Sequence, residues 1–279
     1  MKVCIVIPVY QKISDPREVL SLQQGLKIFA NHPIIFICPH SFDQSWISQY
    51  TSLHPNITFK KFDDKNFKSV HTYDALLLNQ NFYQQFSDYQ FMLIYQTDAY
   101  AFSDRLNDWC EKGFDFIGAP WFKKFDVSGK EKEFIEVAGN GGFSIRNVTK
   151  INDLMARKLN LKQMINLRNI LAKFRIMPHK NITFSIKFFT KFFCKTNSFG
   201  ELCTFICTNA TPPHEDYFFA AILPKLFPEF VVAKPQDAIS FAFEAQPENL
   251  YKMNGEKLPF GCHAWAKYSP DFWKKFINF

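Results

Sequence analysis

The sequence predicts an α/β fold with a mostly parallel central sheet and flanking helices. Three observations predict it. Short apolar runs alternate with helix-spaced apolar positions through residues 3–95, the pattern of strands buried on both faces and joined by crossover helices. Prolines or polar turns close those runs. Of 279 residues, 47% are hydrophobic and 21% charged, which suits a folded chain with a sizeable core and excludes a disordered one.

The elements follow in order. Val3 to Ile7 is a continuous apolar run ended by Pro8. The opening residues superficially resemble a leader peptide, but they lack a small-residue cleavage site, and Pro8 breaks the run, so they read as a first buried strand. Residues 16–30 place Val19, Leu22, Leu26 and Phe29 on one helical face. Ile34 to Cys38, between Pro33 and Pro39, is the second strand, and Ile57 to Phe62 the third. Helical spacing returns at Tyr73, Leu76, Leu77 and Gln80, before the fourth strand, Phe91 to Tyr95. Asp115 to Trp121 is a short strand breaking into a turn. Phe134 to Val137 and Phe143 to Ile145 flank the turn Gly139-Asn140-Gly141-Gly142 as short mixed or antiparallel strands. Residues 147–195 read as helical, a helix opens at Pro212-Pro213, and Phe230 to Val232 reads as a strand.

The net charge is +7, and one segment supplies it: residues 150–200 hold 11 Lys and Arg against the single acid Asp153. Within it, Phe184, Phe188, Phe189, Phe192 and Phe193 fall at helical spacing, with Lys187, Lys191 and Lys195 every four residues. Such a helix suits peripheral contact with an anionic membrane through residues 180–195. It equally suits an amphipathic helix packed on its own domain. No nucleic-acid recognition motif accompanies the charge, so no nucleic-acid partner is expected. No run of 18 apolar residues suggests a membrane span. The seven Cys are odd in number and scattered, arguing for a reducing compartment and against a disulfide framework or structural zinc.

Ligands of parallel sheets sit at the carboxyl ends of the strands, so the polar residues there are the candidates. Tyr95-Gln96-Thr97-Asp98-Ala99-Tyr100 follows the fourth strand, where an acid can hold a divalent cation against a diphosphate; a turn or cap Asp fits as well. His214-Glu215-Asp216 offers a general base, or simply acids suited to a helix's first turn. In Pro259-Phe260-Gly261-Cys262-His263-Ala264-Trp265 the imidazole is a ligand for Mn²⁺-like ions or a packed core residue. The glycine turn could bring backbone N–H groups close to a sugar, or close a plain hairpin. No P-loop, dinucleotide fingerprint or Gly-x-Ser-x-Gly is present, which weakens NTPase, dehydrogenase and serine-hydrolase readings.

These clusters, in this order, resemble the nucleotide-diphospho-sugar transferases of the GT-A fold, and more closely an uncharacterised bacterial and fungal glycosyltransferase-like family. The resemblance also runs through Thr72-Tyr73-Asp74-Ala75-Leu76-Leu77, Asp108-Trp109-Cys110, Asp115 to Trp121 and Gly139 to Ser144. It implies a single GT-A-like domain over 1–279, with 1–149 as the nucleotide-sugar half, 150–200 as a basic helical insertion and 201–279 as the acceptor side. It implies that Pro8, Val9, Tyr10, Gln96, Thr97, Asp98, Asn140, Gly141 and Gly142 contact the donor, and that Trp121, His214 and Trp265 face the acceptor. Asp98 and His263 would hold Mn²⁺ or Mg²⁺. Asp216, with Glu215 beside it, would be the base of an inverting transfer. Gln96 stands where GT-A enzymes at large carry the first acid of Asp-x-Asp. The activity implied is sugar transfer from a nucleoside-diphosphate sugar, a UDP-sugar, to a glycan or lipid-linked acceptor in bacterial surface polysaccharide synthesis (lipopolysaccharide or capsule). The place implied is the cytoplasm, at the inner face of the membrane. The same residues also suit a binding module on a degenerate scaffold, which Gln96 favours, or a nucleotide-sugar hydrolase.

Overall fold

Four apolar runs become the strands β1 (Val3–Pro8), β2 (Ile34–Pro39), β3 (Ile57–Phe62) and β4 (Phe91–Tyr95). The others are shorter: β5 (Tyr100–Ala101), β6 (Phe116–Ile117), β7 (Pro120–Phe122), β8 (Phe134–Ala138), β9 (Phe143–Asn147), β10 (Ala242–Phe243) and β11 (Gly261–Cys262). This computed structural model describes all residues except 48–49, 51–53, 55, 124–132, 174–197 and 210–212. The expected membrane helix at 180–195 lies outside the described residues, as does Pro212.

The central sheet has the order β3-β2-β1-β4-β9-β6. β3, β2, β1 and β4 pair in parallel, while β9 runs antiparallel to both β4 and β6. The expected mostly parallel sheet with flanking helices is therefore the observed fold. Side chains alternate between two cores. Cys4, Val6, Ile35, Ile37, Met92 and Ile94 face helices Val70–Leu77, Val148–Ala156 and Phe199–Asn209. Ile5, Ile7, Phe36, Leu93 and Tyr95 face helix Pro16–Ile28. A third cluster gathers Phe243, Cys262, Trp265 and Trp273.

Local signals set the helix starts. Asp15 caps Pro16–Ile28 by accepting from the Arg17 N–H, and Pro16 sits in the first turn. Ser69 and Thr72 form a reciprocal capping box on Val70–Leu77. Gly25 lets its helix approach β4, since a Cβ there would fall 2.9 Å from the Tyr95 ring.

Two expectations are corrected. Phe230 to Val232 is not a strand: Val232 makes a single parallel bridge to Phe116. The Asp115 carboxylate takes the Val231 N–H at 2.9 Å, so a side chain replaces the next rung of a ladder. The helical tract after 147 is not continuous either, because Arg157 is extended and separates Val148–Ala156 from Leu161–Lys173.

The topology creates one crevice. β1 lies between β2 and β4: the chain crosses from β1 to β2 and β3, then returns from β3 to the other side of β1 as β4, so the strand order reverses beside β1 and opens a crevice at its carboxyl end. Antiparallel β9 begins beside the end of β4, where Tyr95 pairs with Phe143 and the Gln96 N–H donates to the Gly142 carbonyl at 2.9 Å. β11 pairs with β5, placing Cys262 opposite Tyr100. Asp98 and His263 thereby meet from opposite sides of a two-residue ladder.

Candidate active site

The crevice is a cleft of about 490 Å³. It is lined by Pro8 at the end of β1 and Tyr10 beyond it, Gln96, Thr97 and Asp98 after β4, Asn140, Gly141 and Gly142 before β9, then His214, Glu215, Asp216 and His263. The cleft opens to the surface at Tyr10, which is 58% exposed.

On one side, His263 Nε2 lies 3.2 Å from Asp98 Oδ1 and 3.1 Å from Gln96 Oε1. Its Nδ1 lies 3.0 Å from Glu244 Oε1. Burial opposes a charged ring, but Asp98 and Glu244 outweigh it and raise the proton affinity of His263 to about 10. A cation at Nε2 would take the place of the proton there, while Nδ1 keeps its hydrogen for Glu244. Asp98 is itself desolvated by the cleft wall, yet the imidazolium and its hydrogen bond hold its carboxyl below the ordinary range. Asn140 Nδ2 donates to the same Glu244 oxygen at 2.8 Å, and Asn140 Oδ1 accepts from the Gly142 N–H at 3.0 Å.

On the other side, Asp216 Oδ2 accepts from the Gly141 N–H at 3.2 Å and its Oδ1 from the Tyr217 N–H at 2.6 Å. Burial first and the Glu215 charge second push its carboxyl up to about 7, the range of a general base near neutrality. Glu215 is buried and bound to Arg146 at 2.9 Å. Its burial raises its proton affinity against the opposing pull of Arg146. Asp74 accepts from His214 Nδ1 at 2.9 Å and from the Glu215 N–H at 3.4 Å, fixing the start of the helix that carries Asp216.

The glycine turn joins the two sides. A Cβ on Gly142 would fall 2.1 Å from His263 Nε2 and 2.7 Å from Gln96 Oε1, and one on Gly141 would fall 2.4 Å from Glu215 Oε1. A side chain at either position would displace the cleft side chain it meets.

The groups around His263 are of the kinds that hold a divalent cation. Among the described residues no group of three or more His, Cys, Asp or Glu forms a metal cage. What converges is one carboxylate, one amide oxygen and one imidazole, with Glu244 on the far ring nitrogen as an orienting partner. Such an open oxygen-rich set fits Mg²⁺ or Mn²⁺, which draw further ligands from phosphate and water.

Several sequence-based expectations change. Trp265 lies outside the cleft lining: its side chain is fully buried in the third core, its Nε1 donating to Ser21 Oγ at 2.9 Å. Trp121 is also buried, stacked against Tyr217, and outside the cleft lining. Val9 is buried and its neighbours Pro8 and Tyr10 line the cleft instead. Thr97 lines the cleft but points its hydroxyl at Glu18, 2.5 Å away. Sequence reasoning missed Glu244 and Arg146. Glu244 follows the apolar run Phe241-Ala242-Phe243, as Asp98 follows β4, and Arg146 is a lone charge in an apolar strand, which requires a buried partner.

No helix among the described residues is long and apolar enough to cross a membrane. Among solved structures, the chain resembles apo glycosyltransferase GlyE from Streptococcus pneumoniae TIGR4, with 14% identity and a TM-score of 0.47 over 95% of this chain. It spans about half, 54%, of the GlyE chain. It also resembles apo mouse xyloside xylosyltransferase 1, with 10% identity and a TM-score of 0.46 over 94% of this chain and 97% of that one. A third likeness is S. aureus TarS 1–349 in complex with UDP, with 14% identity and a TM-score of 0.32 over 55% of this chain and 49% of that one. At these scores none of the likenesses decides the function. No curated protein matches the sequence. The family described as "Protein of unknown function (DUF5672)" matches residues 56–263, from just before β3 to the cleft histidine, and the chain belongs to that family.

Proposed function

We propose that the chain is a metal-assisted, inverting glycosyltransferase that moves a sugar from a nucleoside-diphosphate donor, a UDP-sugar, to a hydroxyl of a glycan or lipid-linked acceptor. One observation carries the reading: Asp98 and His263 meet on one side of a cleft, Asp216 stands on the other, and consecutive glycines touch both.

Asp98, His263 and the Gln96 amide oxygen would hold the cation. When bound, the cation offsets the charge that builds on the departing diphosphate. The lining supports its need, since the acids Glu18, Asp74, Asp98, Glu215 and Asp216 outnumber Lys68, His214 and His263. Glu244 keeps the His263 ring oriented, and Asn140 holds both Glu244 and the glycine turn. Tyr10, exposed at the end of β1, offers a face to the nucleoside. Asp216 accepts the proton of the acceptor hydroxyl. That oxygen forms its bond to the anomeric carbon as the carbon–oxygen bond to the diphosphate breaks on the opposite face, and the electron pair leaves with the phosphate.

Calorimetry with UDP, with and without Mn²⁺, tests the proposal. UDP should bind at least about 10-fold more tightly with Mn²⁺, and Asp98→Asn should remove that gain. UDP binding that is equal with and without the cation would overturn the metal-assisted reading.

A further inference from the structure

Arg146 is fully buried in β9, an expensive place for a charge. Phe116 and Phe219 lie on either side of its guanidinium, each ring centroid 5.5 Å away. Its Nη1 donates to Tyr83 Oη at 3.1 Å, its Nε and Nη2 to Ser144 Oγ at 3.3 Å, and Nη2 also to Glu215 Oε1 at 2.9 Å. Phe219 belongs to the π turn Phe218–Ile222 that follows Glu215–Tyr217, so the guanidinium grips the helix carrying Asp216 at two points. The oxygen it holds, Glu215 Oε1, abuts Gly141, whose N–H binds Asp216. Ser144, a second Arg146 partner, donates to the Gly141 carbonyl at 2.9 Å.

We propose that Arg146 is a positioning residue for Asp216: by fixing the Glu215 carboxylate and, through Ser144, the Gly141 peptide, it sets both the orientation of the Asp216 carboxyl and the charge that carboxyl faces. The inference takes Asp216 as the proton acceptor of the proposed reaction, but its test does not need that reaction. The groups facing Asp216 are Glu215 on its own helix, Asp74 from Val70–Leu77 and Glu244 after β10. Glu215 in turn faces Arg146, Asp74 and His214. All but Arg146 and His214 are acids, so the Arg146–Glu215 pair decides how much of that negative charge reaches Asp216.

The test is an NMR titration of the full chain labelled with ¹³C at aspartate carboxyls, with the Asp216 signal assigned by its loss in Asp216→Asn. The wild-type midpoint should lie near 7. Glu215→Gln removes the adjacent charge and leaves Arg146 uncompensated, so the midpoint should fall by at least about one pH unit. The double variant Arg146→Met with Glu215→Gln buries no unpaired charge, and its midpoint should also fall, by less. An unchanged midpoint in either folded variant would overturn the inference. Calorimetry with UDP and Mn²⁺ on the same samples separates the two ideas: absent cation-coupled binding sinks the transferase reading and leaves a displaced midpoint standing.

Discussion

At the scale of single residues, Asp216 carries a consequence for both rate and stability. Its folded carboxyl titrates at about 7, far above an unfolded aspartate. Folding therefore takes up a proton between about pH 4 and about pH 7, and this group's contribution to stability falls as pH rises through that window. Transfer should decline as pH drops below about 7, when the base is protonated, and Asp216→Asn should lower transfer by about 10²-fold. The difference in Tm between Asp216→Asn and the wild type should move in the variant's favour by at least about 2 °C between about pH 4 and about pH 8. Differential scanning fluorimetry at the two pH values reads this, and a difference that stays constant removes the assignment. Gly142 is the second such residue. In Gly142→Ala the new methyl would fall 2.1 Å from His263 Nε2, so the ring must leave Asp98 or the turn must leave β4. Mn²⁺-coupled UDP binding should weaken by about 10- to 100-fold, while the fold, seen by circular dichroism, persists.

At the scale of elements, the strands were legible and several connections were not. β1, β2 and β4 are apolar on both faces, and their runs in the sequence show that directly. β3, at the edge, keeps Lys60 half-buried and Lys61 exposed, as edge strands do. Asp98 was singled out because it follows β4, whose carboxyl end opens on the crevice, whereas His263 and Asp216 were singled out by the resemblance of their motifs, and all three line the cleft. Glu244 was not, because β10 is two residues long and carries little periodicity. Trp265 was misplaced because an aromatic beside a site residue looks the same in sequence whether it faces solvent or core. Its place under the β11 loop makes it a structural part. Trp265→Ala should cost about 3–5 kcal/mol of stability. Trp265→Phe, which loses the bond to Ser21, should cost about 1 kcal/mol and keep UDP binding. Chemical denaturation with calorimetry distinguishes this from an acceptor contact, in which Trp265→Phe would change transfer and leave stability alone.

At the scale of the molecule, the family match starts at residue 56, yet β1 and β2 lie inside the sheet between β3 and β4. Pro8, Tyr10 and Glu18 also line the cleft. A chain cut to 56–263 would leave β3 and β4 without the strands that separate them, exposing their apolar faces. It should be unfolded or aggregated by circular dichroism and size-exclusion chromatography, whereas the full chain is folded. A monomeric, cooperatively melting 56–263 fragment would show that the first two strands are dispensable.

The ladder between β5 and β11 also has a consequence in time. During synthesis Asp98 leaves the ribosome long before His263, and Asp216 lies between them in chain order. The imidazole is the last of the three to emerge, so Asp98 and Glu244 are both made before the ring that bridges them.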